Sequence, residues 1–168
     1  MLHVKEASAG HERLKVVLKA FEQPVEPPAF GNPVFGASAY DVCVYDATDA
    51  LAGALRIDRA QDVCGNRGRS CWRRMPSGAL KYVDPELRAH GARRFMMRNG
   101  SVGGGQIVLV AKNAVQRGRV AMPTGIAAAL VGNARATVQV VVSDGACFAL
   151  DAGDVRAAQP AVFRALAE

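Results

Sequence analysis

Short segments that alternate apolar and polar side chains, each closed by a turn-forming pair, recur along most of this chain. In SAYDVCVYDA (38–47), Tyr40, Val42, Val44 and Asp46 share one side while Asp41, Cys43 and Tyr45 share the other. That is the period of two of an extended strand with unlike faces. RLKVVLKA (13–20) alternates at its start and then runs apolar, and ALRID (54–58) is a further short candidate. ALKYVD (79–84) closes on Asp84-Pro85, and RRFMMR (93–98) closes on Asn99-Gly100. Three glycines at 103–105 lead into QIVLVAK (106–112), and TVQVVVSDGACFALD bends at Asp144-Gly145. Asx-Gly and Asp-Pro pairs favour turns because Asn, Asp and Gly tolerate left-handed backbone and proline fixes its own φ. The spacing predicts an all-β protein, an antiparallel β-sandwich of about eight short strands. The tail AAQPAVFRALAE is the exception: its composition and the placing of Val162, Phe163 and Leu166 predict a short C-terminal helix docked on the body. QPVEPPAFGNP (23–33) holds four prolines, which makes regular structure there unlikely and marks a linker or long loop. The expected organisation is an N-terminal strand and Pro-rich loop over 1–33, a sandwich body over 34–150, and a tail over 151–168.

At 168 residues the chain suits one domain with one core, and half its residues are apolar, so it is neither disordered nor fibrous. No apolar run approaches the roughly 20 residues that a helix needs to cross a bilayer. The first residues, MLHVKEASAG, lack the basic-then-apolar layout of a secretory signal. Either the protein stays inside the cell, or the sequence is a fragment or mature form whose export signal is missing.

The order ALKYVD, Arg-Phe-Met-Met strand, glycine turn, QIVLVAK and closing VQVVVSDGACFAL resembles a recurrent all-β module of bacterial exported proteins. In that module a Gly-aromatic-Lys-Tyr-x-Asp segment precedes a hydrophobic strand ending in Lys-x-Gly, a Lys-rich strand, and a final hairpin with a cysteine beside an aromatic. The matching positions are Lys81, Tyr82 and Asp84, then Lys112, then Cys147 and Phe148. The chain departs from the pattern at Ala79-Leu80, where an aromatic is usual, and at Arg98-Asn99-Gly100. The resemblance implies an all-β fold and an extracellular or periplasmic location; it carries no assigned chemistry.

CGNRGRSCWRR (64–74) brackets two arginines with Cys64 and Cys71 and continues into the chain's single tryptophan. Zinc would need two more ligands, six intervening residues exceed the usual two to four, and His3, His11 and His90 are scattered. In an exported protein a disulfide closing this loop is the better reading, with Trp72 anchoring it in the core. Pairing Cys64 with Cys71 leaves Cys43 with Cys147 as the second candidate; the alternative is four reduced thiols, those of Cys43 and Cys147 acting as small buried hydrophobes. No base is aligned with any cysteine for thiolate catalysis. Neither a phosphate-loop spacing, nor G-x-S-x-G, nor a D-x-[DN]-x-[DN]-G calcium loop occurs. No cofactor, metal site or catalytic residue is assigned.

The formal net charge is +6, yet residues 64–98 alone carry nine Lys and Arg (Arg67, Arg69, Arg73, Arg74, Lys81, Arg88, Arg93, Arg94, Arg98) against Asp84 and Glu86. With Trp72, Tyr82 and Phe95 interleaved, such a segment suits a polyanion, whether nucleic acid, acidic polysaccharide or lipopolysaccharide phosphate. The plainer reading makes these arginines the solvent-facing half of strands whose aromatics fill the core. Asp41, Asp46, Asp49, Asp58 and Asp62 form an acidic stretch in which a hydrolytic pair would need two carboxylates facing across a cleft. The leading expectation is a non-catalytic surface or interaction module of an exported bacterial protein, its partner another domain of a longer parent or an anionic surface polymer. The alternative is a polyanion-binding domain using Arg67, Arg69, Arg73, Arg74, Arg93 and Arg94.

Overall fold

The alternating segments become strands because each can bury one face against another sheet while its N–H and C=O groups pair sideways. A computed structural model describes residues 1–65, 68–113 and 120–167. In chain order its elements are β1 (Leu2–Lys5), β2 (Arg13–Lys19), β3 (Tyr40–Tyr45), β4 (Leu51–Ile57), β5 (Val63–Cys64), β6 (Arg69–Ser70) and β7 (Trp72–Arg74). There follow β8 (Leu80–Val83), β9 (Ala92–Arg98), β10 (Gln106–Lys112), α1 (Ile126–Ala129), β11 (Ala136–Val142), β12 (Cys147–Ala152), β13 (Asp154–Gln159) and β14 (Val162–Leu166). A large sheet runs β13-β14-β1-β2-β10-β9-β8-β7, a smaller one β12-β11-β3-β4, and β5 with β6 forms a separate hairpin. All the strand pairings are antiparallel.

The core lies between the inner faces of the two larger sheets. Leu14, Val16, Leu18, Phe95, Ile107 and Leu109 from one meet Tyr40, Val42, Val44, Val138 and Val140 from the other, all at most 1% exposed. Tyr40 of the small sheet bridges the layers, its ring 4.7 Å from Trp72 and 5.3 Å from Phe95. Its hydroxyl donates to the Phe30 carbonyl at 2.7 Å. The Pro-rich run is therefore packed rather than a free linker: Phe30 is buried, and Val25 and Gly100 exchange N–H···O bonds of 2.9 and 3.0 Å.

The expected C-terminal helix is replaced by the hairpin β13–β14. Phe163 and Ala165 point into the core while Val162, Arg164 and Leu166 face away, an alternation that β1 enforces by pairing Leu2 with Ala165 and Val4 with Phe163. Pro160 falls in the hairpin turn, where its missing N–H breaks no ladder bond. Among the described residues the α-helix lies instead at Ile126–Ala129, where the Ile126 and Ala127 N–H groups donate to the Glu6 carboxylate at 3.2 and 2.9 Å. The tail and residues 1–33 thus share one hydrophobic cluster with the body.

Candidate anion-binding face

In an antiparallel sheet the residues directly opposite one another share a face, so the register states which side chains the large sheet turns to solvent. One row across it reads Val83, Arg94, Val110, Lys15, His3, Arg164. The next reads Arg73, Lys81, Met96, Val108, Val17. On one side of these lies Arg98, Gln106, Lys19, and on the other Lys112, Arg13, Lys5, Val162. The seven strands from β7 to β14 contain no Asp or Glu at all. Strands sit about 4.8 Å apart and same-face residues about 7 Å apart along a strand, so these cations form a two-dimensional array on one side of the sheet. The salt bridges Arg56–Asp41, Arg56–Asp58, Arg59–Asp62, Arg59–Asp84 and Arg88–Glu86 lie off it, and Arg156–Asp154 stands at its border on β13, where Asp154 lies opposite Leu166.

The field of this array is felt by His3. Burial first, and then the charges of Arg164, Lys15 and Lys5, hold its imidazole below the ordinary pKa. Half-buried Val17, Met96, Val108 and Val110 make an apolar floor between the cations. A depression of ≈ 430 Å³ opens there, with Lys15, Lys19 and Gln106 around Val17 and Val108. No Phe, Tyr or Trp faces outward on these strands; Trp72, Tyr82, Phe95 and Phe163 all point into the core. The opposite broad face, on the small sheet, is mixed: Asp41, Arg56, Thr137, Gln139 and Asp151 stand there.

The arginines expected from residues 64–98 are divided by this geometry. Arg73 and Arg94 join the array, and Arg93 stands exposed at the bulge where β9 shifts register against β10. Arg69 projects from β6 in the separate hairpin. Arg74 turns the other way and donates to the Gly78 and Gly31 carbonyls at 3.4 Å each. Arg67 lies outside the described residues. Lys5, Arg13, Lys15, Lys19 and Arg164, distant in sequence, take the vacated places.

Cys64 and Cys71 are disulfide-bonded, with Cα atoms 4.9 Å apart. Trp72, 1% exposed, fixes the end of that hairpin in the core. Cys43 and Cys147 are free, the first half-buried and the second exposed. Their pairing fails on geometry: β11 runs between β3 and β12, so about 10 Å separates strands whose cysteines would need Cα atoms within about 7 Å. Cys43 instead hydrogen-bonds Tyr45, which pushes that phenol up. Alkylation of the native protein is therefore expected to modify two thiols, Cys147 fast and Cys43 slowly, and four after reduction; mass spectrometry gives the count. Cutting the loop with Cys71→Ser is expected to cost about 2–3 kcal/mol from the entropy that its closure removes from the unfolded chain. Thermal melts should show that as a Tm lower by roughly 4–12 °C.

The acidic stretch dissolves into local partners. Asp46 accepts from the Thr48 N–H, the Thr48 hydroxyl and the Ala50 N–H, closing its own turn and lowering its pKa. Asp41 and Asp58 flank Arg56, and Asp62 holds Arg59 at 2.9 Å. Asp84 of the Lys-Tyr-x-Asp segment is fully buried. It accepts from the Glu86 and Arg88 N–H groups at 2.8 Å, from the Tyr82 hydroxyl at 3.2 Å and from Arg59 at 3.4 Å. Burial and then Asp84 raise the Tyr82 phenol far above its ordinary pKa. These are structural assignments. Among the described residues no three His, Cys, Asp or Glu side chains converge as a metal site would require, and no helix is long and apolar enough to cross a membrane. No protein-family model matches the chain, and no curated protein or solved structure shows significant similarity to it.

Proposed function

We propose that the protein is a non-catalytic interaction module that holds an acidic polysaccharide against the outer face of its large sheet. The observation that carries this reading is the register itself, which lays ten Lys and Arg on one face across seven strands that contain no carboxylate. A linear polyanion bound to such a surface releases its condensed counterions into solution, and the attraction rises as salt falls. Nucleic acid fits less well. A broad sheet cannot enter a major groove about 12 Å wide, and an outward face with no Phe, Tyr or Trp and only the His3 imidazole offers single-stranded bases little to stack on. The Cys64–Cys71 disulfide is consistent with an oxidising compartment outside the cytoplasm, where such polymers occur. The resemblance to an exported bacterial module points the same way.

Retention on immobilised heparin, eluted by a salt gradient and compared with single-stranded DNA of equal charge, tests the reading. Steeply salt-dependent heparin binding that exceeds DNA binding is expected; equal or absent retention removes the proposal. Binding should also strengthen as pH falls from 7.5 to 5.5. Burial first, and then Arg164 on β14, Lys15 on β2 and Lys5 on its own strand, disfavour a proton on His3; a polyanion that neutralises these cations relieves their share of the effect, so protonation and binding favour each other. A gain of a few-fold in affinity for a sulfated polymer, absent in His3→Gln, is expected by calorimetry at the two pH values.

A further inference from the structure

Away from the cationic array, the loop between Gly31 and Ser38 displays a ring that the core does not use. Phe35 is 81% exposed, the most exposed large hydrophobic side chain among the described residues. The loop beneath it is nevertheless pinned throughout. Asn32 accepts the Phe35 N–H on Oδ1 at 3.2 Å and the Gly36 N–H on its carbonyl at 2.8 Å. Gln61 donates to the Pro33 carbonyl from its backbone at 2.9 Å and to the Gly36 carbonyl from Nε2 at 3.0 Å. Ser38 accepts from the Asn32 N–H at 2.5 Å and donates to Asp144 at 2.7 Å. A single exposed apolar residue on a loose loop means little. A ring held out on an ordered loop is different, because the entropy of ordering it is already lost before any ligand arrives.

Beside Phe35 lies a depression of ≈ 450 Å³ walled by Pro27 and Pro28 and edged by Asn32, Arg74 and Asp144. Gly31 forms part of its lining at a φ of +69°; a Cβ there would stand 2.7 Å from Asp144 Oδ1 and 2.6 Å from Ser38 Oγ, so only glycine lets the carboxylate come this close. The Arg74 fork reaches the Gly78 and Gly31 carbonyls only at 3.4 Å, so small rotations turn it toward a ligand. The pocket thus offers an aromatic plate, proline walls, one strong acceptor and one strong donor fork, and its two charges cancel. A polyanion meets Asp144 and a cation meets Arg74. A pair of vicinal hydroxyls satisfies both, since each hydroxyl donates and accepts. The apolar C–H face of a sugar ring packs on Phe35 and the prolines, and the volume is that of a small-ligand cleft.

We propose that this depression is a second binding site, for a neutral β-linked pyranose of the glucose configuration, separate from the cationic array. The test is a titration of ¹⁵N-labelled protein with cellohexaose and with chitohexaose in 0.5 M NaCl, a salt at which the array is screened. Shifts confined to the amides of Asn32, Phe35 and Gly36 and to the Arg74 Nε–H are expected with at least one of the two sugars. Phe35→Ala, which removes an exposed ring and leaves Tm unchanged, should abolish them while heparin retention stays as in the parent protein. The proposal is overturned if neither sugar shifts these resonances, if the shifts survive Phe35→Ala, or if they map to the large sheet. A Pro-rich peptide that shifts the same amides while both sugars fail would also overturn it. Heparin retention is read separately, so failure of either proposal leaves the other standing.

Discussion

Asp84→Ala is expected to destabilise the fold by about 3–5 kcal/mol, the cost of taking one of two carboxylates from a buried cation and leaving three buried donors without their acceptor. Asp84 has no solvent contact and Arg59 is 8% exposed, so water cannot replace what is lost. The substitution orphans the Glu86 and Arg88 N–H groups and the Tyr82 hydroxyl together. It also releases a turn in which Leu87 and His90 hold positive φ values of 59° and 44°, conformations that persist only while neighbours enforce them. Arg59 ties the same carboxylate to the disulfide hairpin through Asp62 and the Val63 carbonyl, so the hairpin should loosen as well. Urea denaturation measures the loss, and a Tm lower by roughly 6–20 °C should accompany it. Asp84→Asn, which keeps an acceptor, should lose less. In the double variant Arg59→Met/Asp84→Ala, the loss should fall short of the sum of the two single losses by at least 1 kcal/mol. A loss below about 1 kcal/mol for Asp84→Ala would refute the role assigned to the carboxylate.

The second large effect is on binding. Reversing one row of the array with Lys15→Glu, Arg94→Glu and Arg164→Glu is expected to weaken heparin binding on the order of 100-fold or more at low salt, because attraction becomes like-charge repulsion at the centre of the face. These side chains are exposed, so stability should stay within about 0.5 kcal/mol for each change. The control is the triple Arg69→Glu, Arg88→Glu and Arg135→Glu, which changes the same charge off the face, in the disulfide hairpin, beside Glu86 and next to β11. Less than threefold weakening is expected from it. Equal losses from the two variants would show that net charge, not the register, governs binding.

How the array escapes a sequence reading is instructive. A window over 64–98 finds nine cations, but it cannot know that Arg74 turns away or that Arg69 leaves on a separate hairpin. Nor can it know that Lys112 lies opposite Arg13, or Arg94 one strand from the Val110–Lys15 pair. Such contacts are set by which strand neighbours which, information that local periodicity does not contain. A usable signal was present: LHVK, RLKVVLK, WRR, LKYV, ARRFMMR, QIVLVAK and VFRAL all lack carboxylates. The strands from β2 to β4 and from β8 to β12 were legible because alternation and turn pairs agree there. The tail was misread because five residues fit both periods. Ala favours a helix locally, and only β1, some 160 residues away, makes Phe163 and Ala165 face inward. For Cys43 and Cys147 the face was readable, but the strand between them was not.

β1 lies between β2, a few residues on, and β14, near the far end of the chain. The large sheet therefore stops at β1 until the β13–β14 hairpin is added to its end. A chain that emerges from its N-terminus can make the β1–β2 hairpin early, but the β1–β14 ladder must wait until β14 has emerged, and loop closure over that distance is slow. Until then β1 exposes an unpaired edge, Leu2 and Val4 included, to any other strand that offers itself. Completion of the large sheet thus waits for β14, and until that strand is available β1 remains open to the wrong neighbour.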